Sequence, residues 1–216
     1  MTARMETAVR QEQIIRAALE IAAGQGVSAI TVKGVARSVG VSPSALYRHF
    51  KSKEDILLGM QDFVGEVIRS SLQRALAEPR ALDGVRSLLF SVIKHMNDDR
   101  LQPAFFLSAE NWSPDCENGQ RMRMNLHMVK RDLTALFRKA QAQEDVRAEL
   151  DPAQLAIAFT GLYIPGALFS QRAPEIVDFE AQVRFNWELF LRAVSTEHRG
   201  GTAPQERGGA ELQTPG

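Results

Sequence analysis

Ser42, Pro43, Ser44, Ala45, Tyr47, Arg48 and His49 form a run of small and polar side chains, with Lys53 shortly after. Small residues let a helix approach base edges and phosphates closely. Phenol, imidazole and ammonium groups hold phosphate oxygens, so Tyr47, His49 and Lys53 suit the flanks of a nucleic-acid contact. Leu46 and Phe50, four residues apart, are the apolar pair that would anchor such a helix inward. The same mixture also suits an ordinary solvated helix surface, and spacing leaves both readings open. Covalent and metal chemistry find less material. The four histidines and the single cysteine, Cys116, show no C-x-x-C, H-x-x-x-H or E-x-x-H spacing, and no G-x-S-x-G elbow is present. No catalytic residue, metal site or cofactor is expected. The segment Gly24–Ala29 matches G-x-G-x-x-A, but it follows a helical pattern with no strand before it, so no nucleotide site is read there.

The elements that position this run are two short helices and the start of a third. Thr31 is a good N-cap, and Val32, Val35, Ala36 and Val39 recur at one helical face. Gly40 supplies a left-handed residue that stops the helix. Ser42 then caps a second helix with Pro43 at its first position, and Val41 and Leu46 are placed as a hydrophobic staple. Ser52-x-x-Asp55 opens the next helix. This spacing predicts a helix-turn-helix whose second helix is the candidate DNA reader.

The stretch from Thr31 to Leu57, and above all Leu46, Tyr47, His49, Phe50 and Lys53, resembles the DNA-binding signature of the TetR family of bacterial transcriptional repressors. The resemblance covers about the first quarter of the chain. It implies that Thr31, Val32 and Lys33 begin a supporting helix near the DNA backbone. It also implies that Ser42, Pro43, Ser44, Ala45, Tyr47 and His49 face DNA and that Lys53 grips a phosphate. Arg48 joins the candidate set from its place on the same helix. Val32 stands where family members often carry a hydroxyl, so one peripheral phosphate contact is in doubt. Further expectations are a palindromic duplex operator, a homodimer, and a small-molecule effector that tilts the fourth helix and separates two reading heads.

Charge divides along the chain. Net charge is zero, yet residues 1–53 carry eight basic and three acidic residues, and the remainder 18 basic and 23 acidic. A +5 head on a −5 body confines the electrostatic footprint to the helix-turn-helix. The body's balance leans away from small, highly charged anions as effectors. One cysteine, and an N-terminus without an apolar signal core, lead to an expected cytoplasmic location. The apolar run Leu155 to Phe169 is short for a bilayer and holds Pro165 and two glycines, so no membrane span is expected.

The hydrophobic pattern is helical throughout and predicts an all-α chain of about nine helices. Residues 1–53 form a three-helix DNA-binding head, 54–195 a helical effector-binding and dimerisation body, and 196–216 a disordered tail. Residues 1–6 read as a loose arm, followed by a helix from Thr7 to Ala23. A long helix from Ser52 to Ala77 is the mechanical link. Pro103 is expected to start a short helix with Phe105 and Phe106, a long one spans Cys116 to Gln143, and Asp151-Pro152 and Pro174-Glu175 open the last two. Leu155 to Phe169 is apolar nearly all round, which suits either a central core helix or a subunit interface. Leu168, with Phe179, Val183, Trp187 and Phe190 on the final helix, is the expected dimer surface. Phe90, Phe105, Phe106, Trp112, Met128, Phe159 and Tyr163 are expected to line an apolar effector cavity, with His95, Asn125, His127 and Tyr163 as polar fixtures. Two other functions fit the pattern: a bundle that binds a protein partner, and, with least support, an all-α enzyme.

Overall fold

The computed structural model describes residues 2–98, 105, 108–113 and 115–196. Nine α-helices run through them: α1 (Thr2–Gln25), α2 (Val32–Val39), α3 (Pro43–Leu46), α4 (Lys53–Ala77), α5 (Ala81–Asp98), α6 (Glu117–Ala142), α7 (Pro152–Gly161), α8 (Ile164–Arg172) and α9 (Phe179–Val194). The fold is all-α. The one β-type contact among the described residues is an isolated bridge between Val146 and Ser195.

Two hydrophobic cores explain the arrangement, and α4 belongs to both. Ile14, Ala18 and Leu19 of α1, Val35 and Ala36 of α2, and Leu46 pack on Ile56, Leu57, Met60 and Val64 of α4. Further along the same helix, Leu72 and Ala75 join Val85 and Leu89 of α5, Leu133 and Phe137 of α6, and Trp187 and Phe190 of α9. The core therefore changes owner between Val64 and Leu72, within one continuous helix. Close backbone approach fixes the α4–α5 pair, because a Cβ at Gly84 would collide with the Ala75 carbonyl. The turn joining them is tied to the end of α6. Arg80 donates twice to the Asp145 carboxylate, and Gln143 accepts from Ala81 N at 2.7 Å while donating to the Pro79 carbonyl at 2.7 Å.

Several boundaries differ from the sequence expectation. Helix α1 begins at Thr2, so the segment expected as an arm is helical. The apolar run expected as one helix breaks at Leu162–Tyr163 into α7 and α8. Pro165 is the reason: it removes an amide from the ladder, and a new helix opening beside it loses nothing. Together Pro152–Gln171 are long and apolar enough to cross a membrane by length and composition, with 28% of the window buried, and the break at Leu162–Tyr163 interrupts them. The last helix opens at Phe179 rather than at Pro174, because the Asp178 carboxylate accepts from Ala181 N at 3.0 Å and supplies the stronger cap. The helix expected at Pro103 and the tail after Thr196 lie outside the described residues, Phe105 excepted.

Candidate functional site

The head is built by caps. Thr31 accepts from Gly34 N at 3.0 Å, and Gly40 ends α2 at φ 75°, with Val41 N reaching back to the Ala36 carbonyl at 3.0 Å. That backbone conformation is open to glycine and costly for other residues. Ser42 accepts from Ala45 N at 3.2 Å and lies 3.0 Å from the Ser44 hydroxyl. Helix α3 is a single α-turn, after which Tyr47–His49 continue as tighter turns, with His49 N bonded to the Leu46 carbonyl at 2.8 Å. Ser52 caps α4 through Asp55 N, and the Asp55 carboxylate returns to Lys51 N at 2.9 Å rather than to Ser52.

These caps sort the side chains. Leu46 and Phe50 are buried, and Phe50 meets Gly59 of α4 so closely that a Cβ there would lie 2.9 Å from its ring. Thr31, Lys33, Ser42, Pro43, Ser44, Tyr47 and Arg48 are exposed, while Ala45, His49 and Lys53 are half-buried. Tyr47 keeps 50% of its surface exposed, a large phenol with no core to fill. The His49 Nδ1 is buried without a hydrogen-bond partner, and Lys53 donates to the Ser28 carbonyl at 3.3 Å. All ten expected contact residues thus lie on or beside one short segment, outside the head's own core. Such a surface can present small groups to base edges and polar groups to phosphates.

The body holds a cavity of about 460 Å³ between α4, α5, α6 and the α7–α8 junction. Trp112, Phe159 and Tyr163 line it, as do His95 and His127. Four other expected residues are placed elsewhere. Phe90 packs beneath the guanidinium groups of Arg86 and Arg184, at 5.8 and 4.9 Å from its ring centre. Phe105 is buried in the head's core, Asn125 lies against Gly65, and Met128 is half-buried outside the lining. Phe106 lies outside the described residues. Periodicity marked the phenylalanines and Met128 as apolar and helical, but could not say which side of α5 or α6 faced the void.

Polar groups in the cavity are few. Ser71 is already satisfied, with its hydroxyl 2.9 Å from Ser91 and accepting from Arg74 at 2.9 Å. The Tyr163 phenol is pushed up to about 12 by burial, so it is a neutral hydroxyl at physiological pH. Its ring packs edge-on against Phe159, at 6.1 Å between centres.

A buried polar joint that the sequence reading missed connects cavity and head. Gln61 of α4 donates to the Asn111 side chain at 2.8 Å and to the Asn118 carbonyl at 3.2 Å, and Asn111 donates to the Phe105 carbonyl. The neighbouring residue, Trp112, is cavity wall. A signal was present: Gln61 sits in register with the buried Leu57, Met60 and Val64, where an unpartnered amide would be costly. A second tie runs from Gln171 of α8 to the Ala23 carbonyl of α1, at 3.2 Å.

The expected dimer surface divides by face. Val183, Trp187 and Phe190 are 0%, 6% and 9% exposed and fill the body's core, so they are internal packing rather than surface. Phe137 takes Phe190 edge-on at 6.0 Å. Phe179 and Leu168 are half-buried. The outward apolar residues are different ones: Phe185 and Leu189 on α9, Phe169 on α8, Ile157 on α7, and Ile176. The striped pattern of α9 was legible, but two stripes were present and the bulkier one turned inward. Among the described residues no group of three or more His, Cys, Asp or Glu could hold a metal ion. Cys116 instead caps α6, accepting from Gly119 N at 3.3 Å.

Comparison with known proteins follows the same division. Residues 14–60 match the family model described as bacterial regulatory proteins, tetR family. The nucleoid occlusion factor SlmA of Vibrio vulnificus is 39% identical over 82 residues, 37% of this chain and 42% of that protein. The HTH-type transcriptional regulator TcmR of Streptomyces glaucescens is 30% identical over 92 residues, 43% of this chain and 41% of that one. The chain thus spans about two fifths of the length of these curated relatives. The solved structure of regulatory protein TetR from Rhodobacter sphaeroides superposes with a TM-score of 0.70 at 22% identity, over 85% of this chain and 97% of that one. Bacillus subtilis FadR in complex with stearoyl-CoA gives 0.69 at 21% identity, over 83% and 97%. At such identities the likeness is one of fold.

Proposed function

We propose that the protein is a cytoplasmic, DNA-binding transcriptional regulator of the TetR family, a reading supported by the match of residues 14–60 to that family's model. It binds a palindromic operator as a homodimer, represses, and is released by an apolar or amphipathic small molecule. Residues 1–53 act as the reading head and 54–195 as the effector-binding and dimerisation body. Thr31, Lys33, Ser42, Pro43, Ser44, Ala45, Tyr47, Arg48, His49 and Lys53 form the contact set. The outward residues of α7 to α9 cover one another across the two-fold axis, and the half-sites lie about one helical turn or more apart.

The observation that carries this reading is α4. Its first half is packed into the head, through Ile56, Leu57 and Met60, and its second half lines the cavity, through Val67, Ile68 and Leu72. A ligand that fills the cavity pushes on a rigid lever whose other end holds the DNA-reading surface. The Gln61–Asn111 bond gives the cavity wall at Trp112 a second grip on the lever. Release requires unequal affinity for the two geometries, since equal affinity shifts nothing. A hundredfold loss of operator affinity corresponds to about 2.7 kcal/mol of differential binding. The cavity also favours this reading over a bundle that docks a protein partner, because a filled core would serve that purpose as well.

Gel shifts against native promoter fragments test the DNA half. Tyr47→Ala and Lys53→Ala are expected to weaken binding to every sequence and to lower the salt slope by about one unit each, as for a lost phosphate contact. Changes at Ser44 or Ala45 should instead alter which sequence is preferred. Equal affinity of the unmodified protein for promoters and random DNA would overturn the reading.

A further inference from the structure

The break between α7 and α8 puts a tyrosine on the cavity wall. Pro165 lies in the first turn of α8, and Tyr163 is that helix's N-cap residue, at φ −122° and ψ −31°, with no capping bond from its side chain. Ala156, Phe159, Thr160 and Tyr163 recur at helical spacing, and all four line the cavity beside Ile164. The tyrosine ring is braced edge-on by Phe159. This stretch of wall is therefore apolar apart from two hydroxyls.

The two hydroxyls are not equivalent. Thr160 donates its proton to the Ile157 carbonyl at 2.7 Å. The Tyr163 hydroxyl has no hydrogen-bond partner among the described residues. Nor is its oxygen sealed: the buried side-chain atoms left without a partner belong to His49, Gln61, Asn118, Arg147 and Gln171. Burial pushes the phenol up to about 12, so the group is shielded from bulk solvent, and the opening it meets is the cavity. Tyr163 thus offers the cavity an uncharged donor with its proton uncommitted.

That donor sets a condition on whatever fills the space. A hydrocarbon surface laid against it removes its water and returns no acceptor, which lowers affinity by about tenfold. A ligand oxygen at hydrogen-bond distance removes the loss. Stranding a buried polar group discriminates between ligands of one shape more strongly than a missing methylene does.

We propose that Tyr163 determines the specificity of the effector site by donating a hydrogen bond to a carbonyl-type oxygen on a ligand whose hydrocarbon part packs against Phe159 and Ile164. The inference rests on the effector reading under Proposed function and narrows it to apolar compounds that carry such an oxygen.

The test is calorimetric titration of the full chain with benzophenone and diphenylmethane, two probes of nearly one shape that differ by the carbonyl oxygen. Benzophenone is expected to bind about tenfold more tightly, the scale of one buried hydrogen bond. Tyr163→Phe removes the donor and no bond within the described protein. It should cut the preference to about twofold or less, leaving diphenylmethane affinity, operator affinity and melting temperature unchanged. Thr160→Val, at the hydroxyl already committed to Ile157, should keep the preference. The infrared carbonyl stretch of bound benzophenone should lie at lower frequency in the parent than in Tyr163→Phe, a signature that a merely structural role would not produce. Equal affinity of the parent for both probes, or a preference that survives Tyr163→Phe or is lost in Thr160→Val, would overturn the role of Tyr163 and leave an apolar effector site standing. Failure of both probes to bind, in protein that still holds its operator, would overturn the effector reading itself.

Discussion

Protein carrying Phe185→Glu and Leu189→Glu together is expected to sediment as a monomer and to lose operator affinity by about a hundredfold or more, the scale on which joining two binding modules raises affinity. Both side chains point outward from α9, at 57% and 49% exposure, so the change adds charge without opening the core. In the dimer the same carboxylates would be buried against apolar partners and against each other's copies, which is costly without a compensating cation. Trp187, two residues away, provides the contrast. It is buried between α9 and the body's core, 6.1 Å from the Phe190 ring. Trp187→Ala is expected to cost about 3–5 kcal/mol of folding stability, as for other large-to-small changes in cores. Analytical ultracentrifugation beside thermal melts separates the two effects. A dimer that survives the double glutamate, or unmodified protein that is monomeric at micromolar concentration, would contradict the assignment of this face.

Gly119→Ala is expected to be the most damaging methyl addition in the body. Gly119 lies in the first turn of α6, where the helix rests directly on the Ser113 backbone, and a Cβ there would overlap the Ser113 carbonyl. The obstruction is main chain, so no side-chain rotation relieves it. Cys116 ties the same turn together, bonding both Gly119 N and the Ser113 carbonyl. Accommodating the methyl must shift the segment that carries Asn111 and Trp112, and so disturb the Gln61 joint and the cavity wall together. Overpacking of this kind costs about 1–3 kcal/mol, which lowers the melting temperature by roughly 2–4 °C for each kcal/mol in a chain of this size. Gly161→Ala is the control. A Cβ at Gly161 meets nothing within 4 Å, so that variant should melt within about a degree of the parent or above it. Equal melting temperatures for the two variants would show that α6 does not rest on Ser113 as described.

Local chemistry made the head legible in the sequence. Thr31, Gly40, Ser42, Pro43 and Ser52 each act within three or four residues of themselves, and their geometry follows from their side chains. Leu46 and Phe50 had one possible role once the caps were placed. The body was legible only as helices. Whether Val183, Trp187 and Phe190 or Phe185 and Leu189 faced outward depended on contacts with Phe137 and Leu133, some fifty residues away in the chain. Phe90 and Phe105 looked like cavity residues for the same reason: apolar type is local, but the side of a helix that meets a void is set by packing. The break at Leu162–Tyr163 could have been read from Pro165.

The central claim, that the 31–53 segment reads specific duplex DNA, is tested most directly by selection from a random-sequence duplex pool with the full-length protein. The account predicts enrichment of one palindromic motif, with half-sites about 10 base pairs or more apart. It also predicts that Tyr47→Ala lowers the yield of bound duplex at a fixed protein concentration without changing the motif, whereas changes at Ser44 or Ala45 shift the motif itself. A pool that stays unenriched, or a motif unmoved by every change at Ser44 and Ala45, would contradict it.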